Sequence, residues 1–157
     1  MRSTLVLGVG NILLSDEGVG IHVARRLQVL PLPPEIEVID GGTEGFELIR
    51  FFEGREQVII VDCLLSREPP GTIIRAAPDQ LDLRWAPGFS PHQSGLRELL
   101  FSARALPSPP AITIIGIVPA ETGRVSMDLS AAVAGRMDRI LASVLETVRG
   151  PALPPPS

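Results

Sequence analysis

The chain has 157 residues, with 45% apolar and 20% charged residues, a net charge of −4 and a mean hydropathy of +0.28. That is one domain's length, enough for a sizeable core and too apolar for disorder. All 14 basic residues are Arg, with no block beyond Arg25-Arg26, which argues against a nucleic-acid partner. The single cysteine, Cys63, excludes an intrachain disulfide framework and an all-cysteine metal site. No apolar run approaches the roughly 20 residues of a membrane helix. The segment Met1–Gly8 lacks the build of a signal peptide. These features predict a cytoplasmic protein without a membrane partner.

In chain order, Thr4–Val9 is a continuous apolar run that ends at glycines, the pattern of a strand buried on both faces. Val19, Val23, Leu27 and Leu30 then recur at helical spacing until Pro31, Pro33 and Pro34. Ile36–Ile39 reads as a second strand, closed by Asp40-Gly41-Gly42-Thr43. Phe46, Ile49 and Phe52 mark a short helix stopped by Gly54. Gln57–Val61 is a third buried strand ending at Asp62. Gly71–Ala76, short and carrying Arg75, reads as a fourth strand at an edge of the sheet. Pro78–Phe89 is loop-like.

Leu96, Leu99, Leu100 and Ala103 define a third helix, and Ala111–Val118 a fifth strand. Val133, Met137, Ile140, Leu141, Val144 and Val148 give one last amphipathic helix. Residues 1–150 are expected to form a single domain, with a Pro-rich flexible tail at 151–157. Strands that alternate with helices predict an α/β fold. The expected form is a three-layer αβα arrangement around a mostly parallel, five-stranded twisted sheet with helices on both faces.

In such folds the site lies at the carboxyl ends of the strands. Asp16 or Glu17 follows the first strand, Asp40 the second, Asp62 the third, and His92 the loop after the fourth. Each has a plainer reading. Asp16 and Glu17 suit a helix dipole, and Asp40 and Asp62 suit Asx turns. Ser90-Pro91-His92-Gln93 fits a capping box with Pro at the first helical position. That places His92 at a positive helix end, which favours a neutral imidazole with a lone pair to give.

Two carboxylates and one imidazole form an open N/O set suited to Zn, Ni, Fe or Co. Gly8-x-Gly10 is only half a dinucleotide fingerprint, because Leu13 takes the third glycine's place and two acids stand where a pyrophosphate would bind. His22, on the flank of the first helix, reads as structural or solvent-exposed. Cys63 reads as a small buried residue on the face opposite Asp62.

Four motifs together resemble the [NiFe]-hydrogenase maturation endopeptidases. They are Leu5-Val6-Leu7-Gly8-Val9-Gly10-Asn11 through Ser15-Asp16-Glu17-Gly18, Asp40-Gly41-Gly42-Thr43 with Gly45, Val61-Asp62, and Ser90-Pro91-His92-Gln93 with Gly95-Leu96. Gly116-Ile117-Val118-Pro119 is also similar. The resemblance implies an endopeptidase that removes the C-terminal extension of the hydrogenase large-subunit precursor once nickel is inserted. It implies metal dependence, with Glu17, Asp62 and His92 at the metal-binding positions and nickel brought by the precursor. Other divalent ions are expected to occupy that site in vitro.

Asp40 matches the acid of the glycine-rich motif. Asp16 and Asp40 are the expected catalytic groups, transferring or orienting a proton. The expected partner is the precursor, and the expected state is a monomer. The alternatives are a non-cleaving nickel checkpoint or delivery protein, and a flavodoxin-like or nucleotide-binding module.

Overall fold

The computed structural model describes residues 3–81 and 94–150. His92, the capping box at 90–93, most of the loop after Gln80 and the Pro-rich tail lie outside the described residues. Five strands form one sheet: β1 (Thr4–Val9), β2 (Ile36–Gly42), β3 (Gln57–Cys63), β4 (Ile73–Ala76) and β5 (Ala111–Ile117). Their order is β2-β1-β3-β5-β4, parallel throughout except for the antiparallel edge strand β4. The mostly parallel five-stranded sheet and its short edge strand match the sequence reading.

Alternation along the strands divides the core into two faces. Val6, Ile59, Val61, Cys63, Ile115 and Ile117 pack on one face. Helix α1 (Val19–Gln28) and helix α4 (Met137–Arg149) cover it with Val23, Leu27, Ile140 and Val144. Leu5, Leu7, Val58, Ile60 and Ile114 point the other way. There they meet helix α2 (Ser94–Arg104) and a 3-10 segment, Gly45–Phe51, through Leu99, Ala103, Leu48 and Phe52. Among the described residues no helix is long and apolar enough to cross a membrane.

Three elements differ from the sequence reading. The last helix is two helices, α3 (Ala131–Ala134) and α4, separated at Gly135-Arg136. Arg136 sits at φ −101°, ψ 0°, which ends one helix before the next begins. The apolar spacing runs across this break, so periodicity alone could not reveal it. The short helix after β2 is a 3-10 segment that buries Leu48, with Phe52 buried just past its end, and leaves Phe46 45% exposed. Helix α1 ends at Gln28, so Leu30 lies beyond it and is exposed.

The chain leaves β1 toward β2 on one side and returns through β3 to the other, so strand order reverses between β1 and β3. Crevices in open α/β sheets form at such a point, at the carboxyl ends. Here the crevice is kept tight by glycines. A Cβ on Gly8 would run into the Gly20 carbonyl oxygen, and a Cβ on Gly20 into the carbonyl oxygens of Val9 and Val61. Bare backbones let α1 start directly against the ends of β1 and β3. Gly8→Ala is therefore expected to cost about 3 kcal/mol or more by overpacking, because backbone cannot swing aside as a flexible side chain would. A urea midpoint that stays at the wild-type value would contradict this packing.

Candidate active site

Four carboxyl-end segments converge at the crevice: residues 10–18 after β1, the glycine-rich turn after β2, Asp62 on β3, and the segment after β5. Gly10, at φ 142°, adopts a conformation open mainly to glycine. A Cβ there would strike the Glu17 carbonyl oxygen and lie 3.5 Å from Asp62 Oδ1. The Glu17 backbone and the Asp62 carboxylate thus approach one glycine although they lie 45 positions apart in the sequence. Both are buried, at 5% and 1% relative exposure.

Glu17 Oε2 accepts a hydrogen bond from the Gly123 amide at 3.0 Å. Asp62 Oδ1 accepts one from the Cys63 amide at 2.7 Å. Burial raises the pKa of the Cys63 thiol, and the nearby carboxylates of Asp62, Glu17 and Asp16 push it further up. The thiol stays protonated and lies within the apolar face under α1, as the alternation of strand faces predicts.

Asp62 opens instead on the opposite face. It lines a narrow cleft with Gly42, Thr43, Gly45, Leu96 and Leu99. Leu96 lies in the first turn of α2, and the residues just before that helix in the chain include His92. His92 itself lies outside the described residues. Among the described residues, no group of three or more His, Cys, Asp or Glu is placed to hold a metal ion. Of the three expected ligands, Glu17 and Asp62 are described, both buried at this end of the sheet and both close enough to Cys63 to act on its thiol.

Asp16 and Asp40, the expected catalytic acids, each have partners of their own. Asp16 has 0% exposure. Its Oδ2 accepts from the amides of Ala120 (2.9 Å) and Glu121 (3.0 Å) and from the Ser130 hydroxyl (2.7 Å). Its Oδ1 accepts from the Ser130 amide at 2.8 Å. These donors satisfy a buried charge that would otherwise be costly, and they fasten the segment after β5 over the crevice. Gly123, which holds Glu17, lies within that fastened segment.

Asp40 projects toward α1 on the far side of the sheet from Asp62. There its Oδ2 pairs with Arg25 at 3.3 Å. Its Oδ1 accepts from the Gly42 amide at 3.1 Å, so it shapes the cleft-lining turn from behind.

The sequence reading did not single out Ser130 or Gly123. Ser130 had a readable signal, since it caps α3 by accepting from the Val133 amide. Nothing in the sequence marks Gly123 as a donor to Glu17. His22 takes the structural one of its two expected roles. It is half-buried and bonded to the Met127 backbone, and its pKa is lowered chiefly by burial.

A hydrogenase maturation protease family model, HycI, matches residues 21–147. The Hydrogenase 2 maturation protease of Escherichia coli K12 is 35% identical over 148 residues, spanning 92% of this chain and 90% of that one. The chain belongs to the hydrogenase maturation protease family. The family likeness extends to the HupD hydrogenase expression/formation protein of Rhodobacter capsulatus, 33% identical over 92% of this chain and 70% of that one.

Solved structures of hydrogenase maturation proteases agree with this fold. The maturating endopeptidase HybD from E. coli has a TM-score of 0.85 at 34% identity, covering 95% of this chain and 93% of that one. HybD from Thermococcus kodakarensis has a TM-score of 0.76 at 28% identity, covering 93% and 98%. Membership in this protease family makes the protein a hydrolase, and it disfavours the checkpoint and nucleotide-binding alternatives.

The two aspartates after the opening glycines and the second strand should separate cleanly in stability. Asp16→Ala leaves the amides of Ala120, Glu121 and Ser130 without their acceptor, and is expected to cost about 3 kcal/mol. Asp40→Asn loses one half-exposed ion pair and is expected to cost under about 1 kcal/mol. Urea unfolding of the two variants measures this difference, and equal losses would contradict the assigned roles.

Proposed function

We propose that this protein is a nickel-recognising endopeptidase that removes the C-terminal extension of the [NiFe]-hydrogenase large-subunit precursor. The observation that carries the reading is the burial of the Glu17 and Asp62 carboxylates at the sheet's switch point, both close enough to Cys63 to act on its thiol. Two anionic oxygens from separate segments are suited to a divalent ion, and a third donor from His92 would complete an open N/O set. Nickel belongs to the substrate in this account: it arrives on the precursor and would polarise the adjacent scissile carbonyl.

The chain's own residues hold that cargo in register. The Gly123 amide fixes Glu17, the Cys63 amide fixes Asp62, and the turn at 42–45 borders the path of the bound polypeptide. Asp16 acts as a positioning residue through the 120–130 segment. Asp40 acts through the Gly42 amide. Tight anchoring of the carboxylates supports ligand geometry, because hydrogen-bonded outer partners orient the groups that meet a metal.

The test is mass spectrometry of purified precursor after incubation with the protein. Nickel-loaded precursor should lose its C-terminal extension, and nickel-free precursor should stay intact. Glu17→Gln and Asp62→Asn keep size and most hydrogen bonding, so both should stay folded yet cleave roughly tenfold or more slowly. A nickel-loaded precursor left intact by wild-type protein would overturn the protease reading of this chain. Cleavage by Glu17→Gln at the wild-type rate would overturn the ligand role of Glu17.

A further inference from the structure

Helix α1 carries a titratable side chain that the proposed chemistry does not use. His22 is half-buried and lies five residues past Glu17. Among the described residues its Nε2 is buried and has no hydrogen-bond partner. Such an atom is tolerable as a bare lone pair. As a charged N–H donor it is costly, because it gives up water without gaining an acceptor. The ring meets the Met127 backbone. It therefore sits at the joint between α1 and residues 121–128, the segment that brings the Gly123 amide to Glu17.

That segment is held mainly through its backbone. The Ser126 amide donates to the Leu13 carbonyl at 2.9 Å, and the Ser15 amide to the Ser126 carbonyl at 2.7 Å. The Ser15 hydroxyl donates to the Asp128 carbonyl at 2.9 Å. Val125 and Met127 are exposed, so little apolar burial reinforces these bonds, and a segment of this kind opens at small cost. Among its tethers, the imidazole is the side chain whose ordinary titration falls at physiological pH.

Burial lowers the His22 pKa from its usual 6.5. The Met127 backbone and the Asp128 carboxylate act the other way, and the Arg25 and Arg26 guanidiniums of α1 reinforce the lowering. The closed joint thus binds a proton more weakly than an opened one, in which the ring regains water. Closure is favoured while the ring is neutral, and that preference is lost as the pH falls below about 6.5.

We infer that His22 is a positioning residue: its neutral ring closes residues 121–128 onto α1, and its protonation opens that joint and frees Glu17 from the Gly123 amide. Glu17 then loses a bond that orients it, so cleavage falls in acid through the geometry of that carboxylate. This consequence for cleavage rests on the protease reading above, whereas the coupling of His22 to Gly123 stands without it.

The experiment follows amide hydrogen exchange in the isolated protein, without precursor, at about pH 7.5 and about pH 5, on either side of the ordinary histidine range. Protection factors are compared, which removes the intrinsic pH dependence of exchange. In the wild type, protection of Gly123 and Ser126 should fall roughly tenfold or more in acid, while the amides of β1, β3 and β5 keep theirs. The chain has only two histidines, so His22→Gln and His92→Gln divide the effect between them. His22→Gln cannot take up the charge and should hold protection at Gly123 within about twofold across the range. His92→Gln should lose it as the wild type does. If His22→Gln fails to fold, His22→Asn replaces it.

Constant protection in the wild type, or an acid loss that persists in His22→Gln, would overturn the inference and leave the protease reading standing. A His22-dependent loss in a protein that leaves nickel-loaded precursor intact would support the coupling and overturn the protease reading alone.

Discussion

The carboxylate of Asp16 is fully buried, and four donors from residues 120–130 converge on it. A buried charge without partners would cost several kcal/mol, so this cradle is a condition for folding the site as well as a feature of it. The Asp16 amide also donates to the Glu121 carbonyl at 3.3 Å, and the Ser15 amide donates to the Ser126 carbonyl at 2.7 Å. Ser15 is held at φ 51°, a conformation a non-glycine residue adopts only when its surroundings impose it. The segment after β1 and the segment after β5 are therefore one unit. Glu17, next in the chain, takes its orientation from that unit through Gly123.

The second constraint is the alternation of strand faces. Asp62 and Cys63 are neighbours in β3 and must diverge. Asp62 reaches the cleft beneath α2, and Cys63 packs under α1. The same rule sends Asp40 of β2 to the α1 side, where Arg25 meets it. Acids that look equivalent as strand-end residues thus divide into one that lines a cleft and one that braces the turn beside it. Close backbone contact at Gly8 and Gly20 lets α1, with Glu17 just ahead of it, begin directly against the ends of β1 and β3.

Much of this arrangement could be read from the chain. Thr4–Val9, Gln57–Val61 and Ala111–Val118 are unbroken apolar runs, and a parallel sheet buried on both faces requires such runs. The strand-end rule alone places Glu17 and Asp62 at one edge of the sheet. The break at Gly135-Arg136 was hidden because the apolar spacing continues across it. The role of Asp16 was hidden for a different reason. Its donors lie 104 to 114 residues further along, and three of the four are backbone amides, which any sequence supplies. A carboxylate in a helix's first turn looks the same on paper whether it faces solvent, a substrate or a ring of amides.

Amide hydrogen exchange, followed residue by residue in the isolated protein, tests the dependence of the site on Asp16 most directly. In the wild type, the amides of Ala120, Glu121, Gly123 and Ser130 should exchange slowly for a loop, since each is bonded to a buried carboxylate. In Asp16→Asn all four should lose protection together, including Gly123, which does not touch residue 16, while the amides of β1, β3 and β5 keep theirs. Unchanged protection at Gly123 in that variant would contradict the account, because Glu17 would then be held independently of the buried aspartate.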